Sequence, residues 1–145
     1  MKLILSRKGF DNARGCALSP IFTNGTMVSL PIPSSKQNIT YSQVSKAGMN
    51  LGQIVNAIPG CKAKGGIPLN SCSSVHLDPD LEYYSLPQRQ NGWRPSFGQA
   101  NGPQGHLKSQ CVKKGALFLF FGLFRCVNVA NITKSITRRA RRSPR

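Results

Sequence analysis

Apolar positions fall into short runs separated by polar stretches rich in Gly, Pro and Ser. "KLIL" at residues 2–5 is closed by "SRKG", the pattern of an interior strand that feeds a polar loop. After "TNGT", whose Asn-Gly pair is a strong turn signal, "MVSLPIP" predicts a second strand, with Pro31 and Pro33 at its end or on a sheet edge. These two strands are expected to form a hairpin-like unit. Between Ser42 and Ile58, Val44, Ala47, Leu51, Ile54, Val55 and Ile58 follow helical spacing, which predicts a helix with Ser42 as N-cap, although Gly48 and Gly52 weaken it. Residues 59–74 read as a flexible connection and "VHL" as a brief strand. The segment 79–103 holds four prolines together with Tyr83, Tyr84, Trp93 and Phe97. Long irregular loops of this kind inside compact domains usually have a binding or covering role. "QGHLKSQCV" predicts a short helix stopped by "KKG", and "ALFLFFGLF", residues 116–124, a buried strand. The pattern is that of an α/β or α+β fold, a single small mixed-sheet domain.

Composition narrows this picture. At 145 residues the chain is one domain's worth. The apolar run at 116–124 is less than half of the roughly 20 residues a membrane-spanning helix needs, so no membrane partner is expected. A formal charge of +16 points towards a polyanion, because clustered Lys and Arg bind phosphates and release counterions. Six of the twenty basic residues, however, lie in the last twelve positions, "KSITRRARRSPR", and the others are scattered, so the body has no single basic stripe. Five cysteines, at 16, 61, 72, 111 and 126, form no CxxC pair and have no zinc spacing, and no signal-peptide pattern opens the chain. A reduced, cytoplasmic protein with structurally buried thiols is the expectation.

Only four acidic residues occur, and three of them, Asp78, Asp80 and Glu82, follow His76 in and just beyond "HLDPDL". On an extended segment Asp78 and Asp80 would face the same side, with Pro79 fixing the backbone between them. Paired carboxylates beside a histidine suit acid and base roles, a sugar hydroxyl or a divalent metal; equally, the first carboxylate caps a turn and the second pairs with an arginine. "GWRPSFGQ" supplies Trp93 and Arg94, an aromatic face and a planar cation suited to base stacking and phosphate pairing. The plain alternative is a core Trp93 and an Arg94 paired with Asp78 or Asp80. In "SRKGFD", Arg7, Lys8 and the backbone of Gly9 are placed after a strand, where they can cradle an anion, with Asp11 as a metal or ribose contact. His106, in "GHLKSQ", completes the set of candidate acid and base groups.

Taken in order, "LILSRKGFD", "SPIFTNGTMVSLPIP", "HLDPDL", "GWRPSFGQ" and "LFLFFGLFR" resemble the signature blocks of the third nucleotide modification associated domain family of bacteria and phages. The resemblance covers most of residues 1–125 and implies a part in making or processing modified nucleotides or DNA bases, with no settled reaction. Leu123 stands where the family block usually has tryptophan, and after Arg125 the text becomes "CVNVANITKSITRRARRSPR". The expectation is a domain over 1–125, truncated or frameshifted after Arg125 and so incomplete at the C-terminus, followed by a basic, disordered tail over 126–145.

The leading expectation is a domain that binds a nucleotide or modified base. His76, Asp78, Asp80 and His106 are its candidate catalytic groups, and Arg7, Lys8, Asp11, Trp93 and Arg94 its candidate substrate contacts; the cofactor is left open, with a divalent metal as one option. From a different class comes a non-enzymatic basic protein that binds nucleic acid through total charge and the arginine tail. A truncated product without function is a third alternative.

Overall fold

The computed structural model describes residues 2–10, 18–58, 60–62, 66–99 and 101–128. Among them the order of elements is β1 (Leu3–Arg7), β2 (Ser19–Ile21), β3 (Ser45–Lys46), β4 (Met49–Asn50), α1 (Leu51–Ala57), α2 (Asn101–Ser109), β5 (Leu117–Phe121) and β6 (Phe124–Cys126), with single 3-10 turns at Tyr41–Gln43 and Tyr83–Ser85. It is a small mixed α/β domain. No helix among the described residues is long and apolar enough to cross a membrane.

The two apolar runs at the ends of the described chain become strands that pair with each other. β1 and β5 lie parallel, in a register that sets Leu3 beside Leu117 and Arg7 beside Phe121. The hairpin expected between 2–5 and 27–33 therefore does not form. "MVSLPIP" instead runs across the fold as an irregular segment that buries Val28 and Leu30 and makes isolated bridges at Met27 and Pro33. The Asn-Gly signal does make its turn, since the Phe22 N–H donates to the Thr26 carbonyl (2.9 Å), but it connects β2, not β1, to that segment.

β5 is also not the buried strand that its composition suggests. Along both strands of the pair every second residue is open, so that Leu3, Leu5, Leu117, Leu119 and Phe121 form an exposed apolar face. The opposite face is covered by Phe97, whose ring lies 5.0 Å from Phe118 and 4.9 Å from Phe120. Parallel strands are usually covered on both faces, and here one face is left open.

The expected helix over 42–58 is cut to the 7 residues Leu51–Ala57. Ala47 and Gly48 take positive φ (49° and 74°), which closes β3 onto β4 in a two-residue turn and breaks the helical run. The helix starts only after Asn50, whose side chain accepts from the Gln53 N–H, so the cap is Asn50 and not Ser42. Gly52 is required for packing: a Cβ there would lie 2.9 Å from both Ser42 Cα and Ser71 Cβ. α1 buries Leu51, Ile54 and Val55 against Tyr41, Val44, Phe10 and Val75, and this cluster is the core.

The connection over 59–74 is tied down wherever it is described. The Leu69 N–H donates to the Cys61 carbonyl (2.9 Å), and both side chains enter the core. Of the cysteines among the described residues, Cys61 is buried as expected while Cys72, Cys111 and Cys126 are exposed, because they lie in turns and on an edge strand; Cys16 lies outside the described residues. α2 forms close to its expected place and ends with Cys111 at φ 50°. β6 pairs parallel with β2, and the Val127 N–H donates to the Ile21 carbonyl (2.9 Å), so the sheet pairing runs past Arg125. The expected basic tail lies outside the described residues from 129 onward.

Candidate functional site

Residues 78–80 and 96–98 are held together by a local antiparallel bridge. The Asp80 N–H donates to the Ser96 carbonyl (2.9 Å), and the Ser96 N–H donates back to Asp80 (2.8 Å). The acidic run and the Trp-containing loop are therefore neighbours, as a shared site requires. The Asp78–Pro79 peptide bond is cis.

Each aspartate has its own cation. Lys8, the first residue after β1, donates from Nζ to Asp78 Oδ2 (3.2 Å) and lies 4.5 Å from the centre of the Phe97 ring. The other Asp78 oxygen accepts from the Gly98 N–H (3.1 Å). Asp80 is gripped by Arg89, which donates from Nη1 and Nη2 to its two oxygens (2.6 and 2.7 Å). Arg89 also donates to the carbonyls of Tyr83 (3.0 Å) and Glu82 (2.7 Å) and to Ser85 Oγ (2.5 Å), and its guanidinium lies 4.3 Å from the Trp93 ring centre. With the Arg89 side chain only 4% exposed, this is a clamp that closes the 80–89 loop, and the planar five-donor fork of arginine suits it.

Two cavities flank this clamp and share one wall. The larger, about 510 Å³, opens at the carboxyl ends of β1 and β5 and is lined by Lys8, Ser29, Lys46 and Glu82 together with Phe120, Phe121 and Phe124. Its position follows from the strand pairing: the Lys8 N–H donates to the Phe121 carbonyl (2.8 Å), so the two strands end side by side at its floor. The smaller, about 400 Å³, is lined by Asp80, Arg89 and Trp93 and by the carboxamides of Gln37, Gln88, Gln90 and Asn91. Pro79, Leu81 and Glu82 border the first cavity and Leu77 and Asp80 the second, which makes the acidic run the partition between them.

Of the residues singled out from sequence, Lys8, Asp78, Asp80 and Trp93 come together at this partition. His76 is half-buried one residue before it, with its backbone N–H donated to the Ile32 carbonyl (3.0 Å). Arg94 is exposed and lines neither cavity, and the partner of Asp80 is Arg89 in its place. Arg7 sits on the outward face of β1, and His106 is exposed on α2 away from both cavities. Gly9 approaches Ser29 and Leu30 closely. Asp11 lies outside the described residues. Arg89 and Lys46 were missed. Arg89 had a signal, because it and Arg94 are the two basic residues of the 79–103 segment, but adjacency to Trp93 favoured Arg94. Lys46 had none, since it reaches the cavity only through the β3–β4 turn. Among the described residues, no group of three or more His, Cys, Asp or Glu side chains is arranged to hold a metal ion.

The geometry thus defines a small α/β domain with two cavities divided by a charge-compensated acidic segment. The chain belongs to the family described as nucleotide modification associated domain 3, whose model matches residues 2–142 and so extends past Arg125. No curated protein and no solved structure matches the chain. Family membership suggests a role in nucleotide modification.

Proposed function

We propose that the chain binds a nucleotide, free or as a unit of DNA, in the cavity at the carboxyl ends of β1 and β5, as part of nucleotide or base modification. The observation that carries this reading is a cavity of about 510 Å³ at that end of the strands, lined by two lysines, Lys8 and Lys46, and three phenylalanines. Ligands of open parallel sheets bind in the crevice outside the carboxyl ends of the strands. In the proposed complex Lys8 and Lys46 hold the phosphate, and the rings of Phe120 and Phe124 take the base. The Ser29 hydroxyl donates to or accepts from sugar hydroxyls, and the Glu82 carboxylate accepts from them. Asp78, anchored by the Gly98 N–H, is a positioning residue for the Lys8 ammonium. Asp80 keeps the partition in place through Arg89.

Calorimetric titration with nucleoside monophosphates and the matching nucleosides tests the reading. The double variant Lys8→Met/Lys46→Met is expected to bind the monophosphates at least about tenfold more weakly, since charge-assisted contacts to phosphate contribute about 1.5–3 kcal/mol each. Unchanged affinity in a folded variant overturns the assignment. A second reading, charge-driven binding of nucleic acid, is favoured by the +16 charge. It predicts that deleting residues 134–145 removes most duplex affinity together with its steep salt dependence, while nucleotide binding survives.

A further inference from the structure

The smaller cavity differs from the larger one in its chemistry. Among the described residues its one cation, Arg89, is matched by Asp80 in a two-pronged ion pair and makes three further contacts to oxygen acceptors, so the pair offers a ligand no net charge. The remaining polar lining consists of the carboxamides of Gln37, Gln88, Gln90 and Asn91 and the hydroxyl of Ser96. Each carboxamide presents both a donor and an acceptor, and among the described residues none of these four side chains has a hydrogen-bonding partner in the protein. Apolar lining comes from Ile39, Leu77, Leu86 and Trp93. The volume, about 400 Å³, lies in the lower part of the range found for small-molecule sites.

We propose that this cavity is a second binding site, for an uncharged nucleobase or nucleoside, recognised along its edge by the carboxamides of Gln88, Gln90, Asn91 and Gln37 beside Trp93. Carboxamide side chains match the donor-acceptor edges of bases, as in the two-pronged contacts of Asn or Gln with adenine. Among the described residues a phosphate would meet here only Arg89, which is committed to Asp80 and three further oxygen acceptors, whereas the larger cavity adds Lys46 to the Asp78-paired Lys8. The site is independent of the phosphate-binding cavity proposed above and lies across the 77–82 partition from it, so a nucleotide and an uncharged base or nucleoside can be held at once.

Trp93 is the single tryptophan of the chain, so its fluorescence reports on this cavity alone. Titrations of the intact protein with adenosine, guanosine, cytidine and thymidine are expected to give a saturable change in Trp93 emission for at least one nucleoside. That nucleoside's affinity should change less than twofold between low and high salt, and inorganic phosphate should produce no change. In Gln88→Ala/Asn91→Ala, with the same unfolding midpoint as the parent, its affinity should fall at least tenfold. No saturable response to any of the four, or a response unaltered by the double substitution, overturns the proposal. The lysine-dependent calorimetric signal of monophosphates is measured separately, so either site can fail without the other.

Discussion

Replacing Arg89 tests the partition directly. Its side chain is 4% exposed and that of its partner Asp80 15%, so both charges are withdrawn from solvent. Arg89→Ala leaves the Asp80 carboxylate without its cation and removes the donors that serve the Tyr83 and Glu82 carbonyls. Removing one member of such a buried pair costs about 3–5 kcal/mol, a large part of the roughly 5–15 kcal/mol that holds a domain of this size together. Arg89→Lys keeps the charge but cannot bridge both Asp80 oxygens and the carbonyls, so an intermediate loss of about 2 kcal/mol is expected. Arg94→Ala, at an exposed position, should stay within about 0.5 kcal/mol of the parent. Urea unfolding followed by circular dichroism measures all three, and a double-mutant cycle with Asp80→Asn isolates the pair, with an expected coupling of about 2–3 kcal/mol. If Arg89→Ala costs less than about 1 kcal/mol, the range of solvent-exposed pairs, the clamp does not exist. An equal loss in Arg94→Ala would show that the wrong arginine has been assigned.

Gly52→Ala should destabilise by about 1–2 kcal/mol in the same unfolding assay, because the overlap with Ser42 and Ser71 outweighs the roughly 1 kcal/mol gain in helix propensity. Tyr41 is buried and donates to the Pro31 carbonyl (2.6 Å), and burial, reinforced by nearby Cys61, holds its phenol well above the ordinary tyrosine value. Its contribution is complete below the unfolded value of about 10; above it the unfolded chain ionises while the folded one does not, and stability falls by about 1.4 kcal/mol per pH unit. Tyr41→Phe should lose this part of the alkaline slope, read from urea midpoints between about pH 9 and pH 11; an unchanged slope refutes the burial argument. Leu119→Lys, on the open face of the β1–β5 pair, should lower light scattering at high concentration with a stability change within about 0.5 kcal/mol, and undiminished scattering would clear that face of a part in self-association.

Much of the site was legible as composition and little of it as contact. The acidic cluster in a very basic chain marked the place where positive charge is compensated, and Lys8, Asp78, Asp80 and Trp93 do meet there. Which cation meets which carboxylate was not legible: Arg89 and Arg94 differ by five positions in one loop, and only the Asp80–Ser96 bridge decides which of them turns inward. The predicted helix failed because Ala47 carries no sign of the positive φ it adopts beside Gly48.

By itself the sequence determined that apolar runs near both ends of the described chain form strands, though not their bounds or the break of the last run into two, and it determined the short helix before that run, the irregular 79–103 loop and the family to which the chain belongs. Those features depend on neighbouring residues, through apolar periodicity, turn chemistry and ordered motifs. Tertiary structure alone decided that Leu3 lies beside Leu117, that the β1–β5 pair leaves one face open, and that the acidic run divides a lysine-lined cavity from a carboxamide-lined one. Strand partners and ion pairs are chosen by closing long loops onto a common core, and the free energy of that closure depends on the whole chain rather than on any window of it.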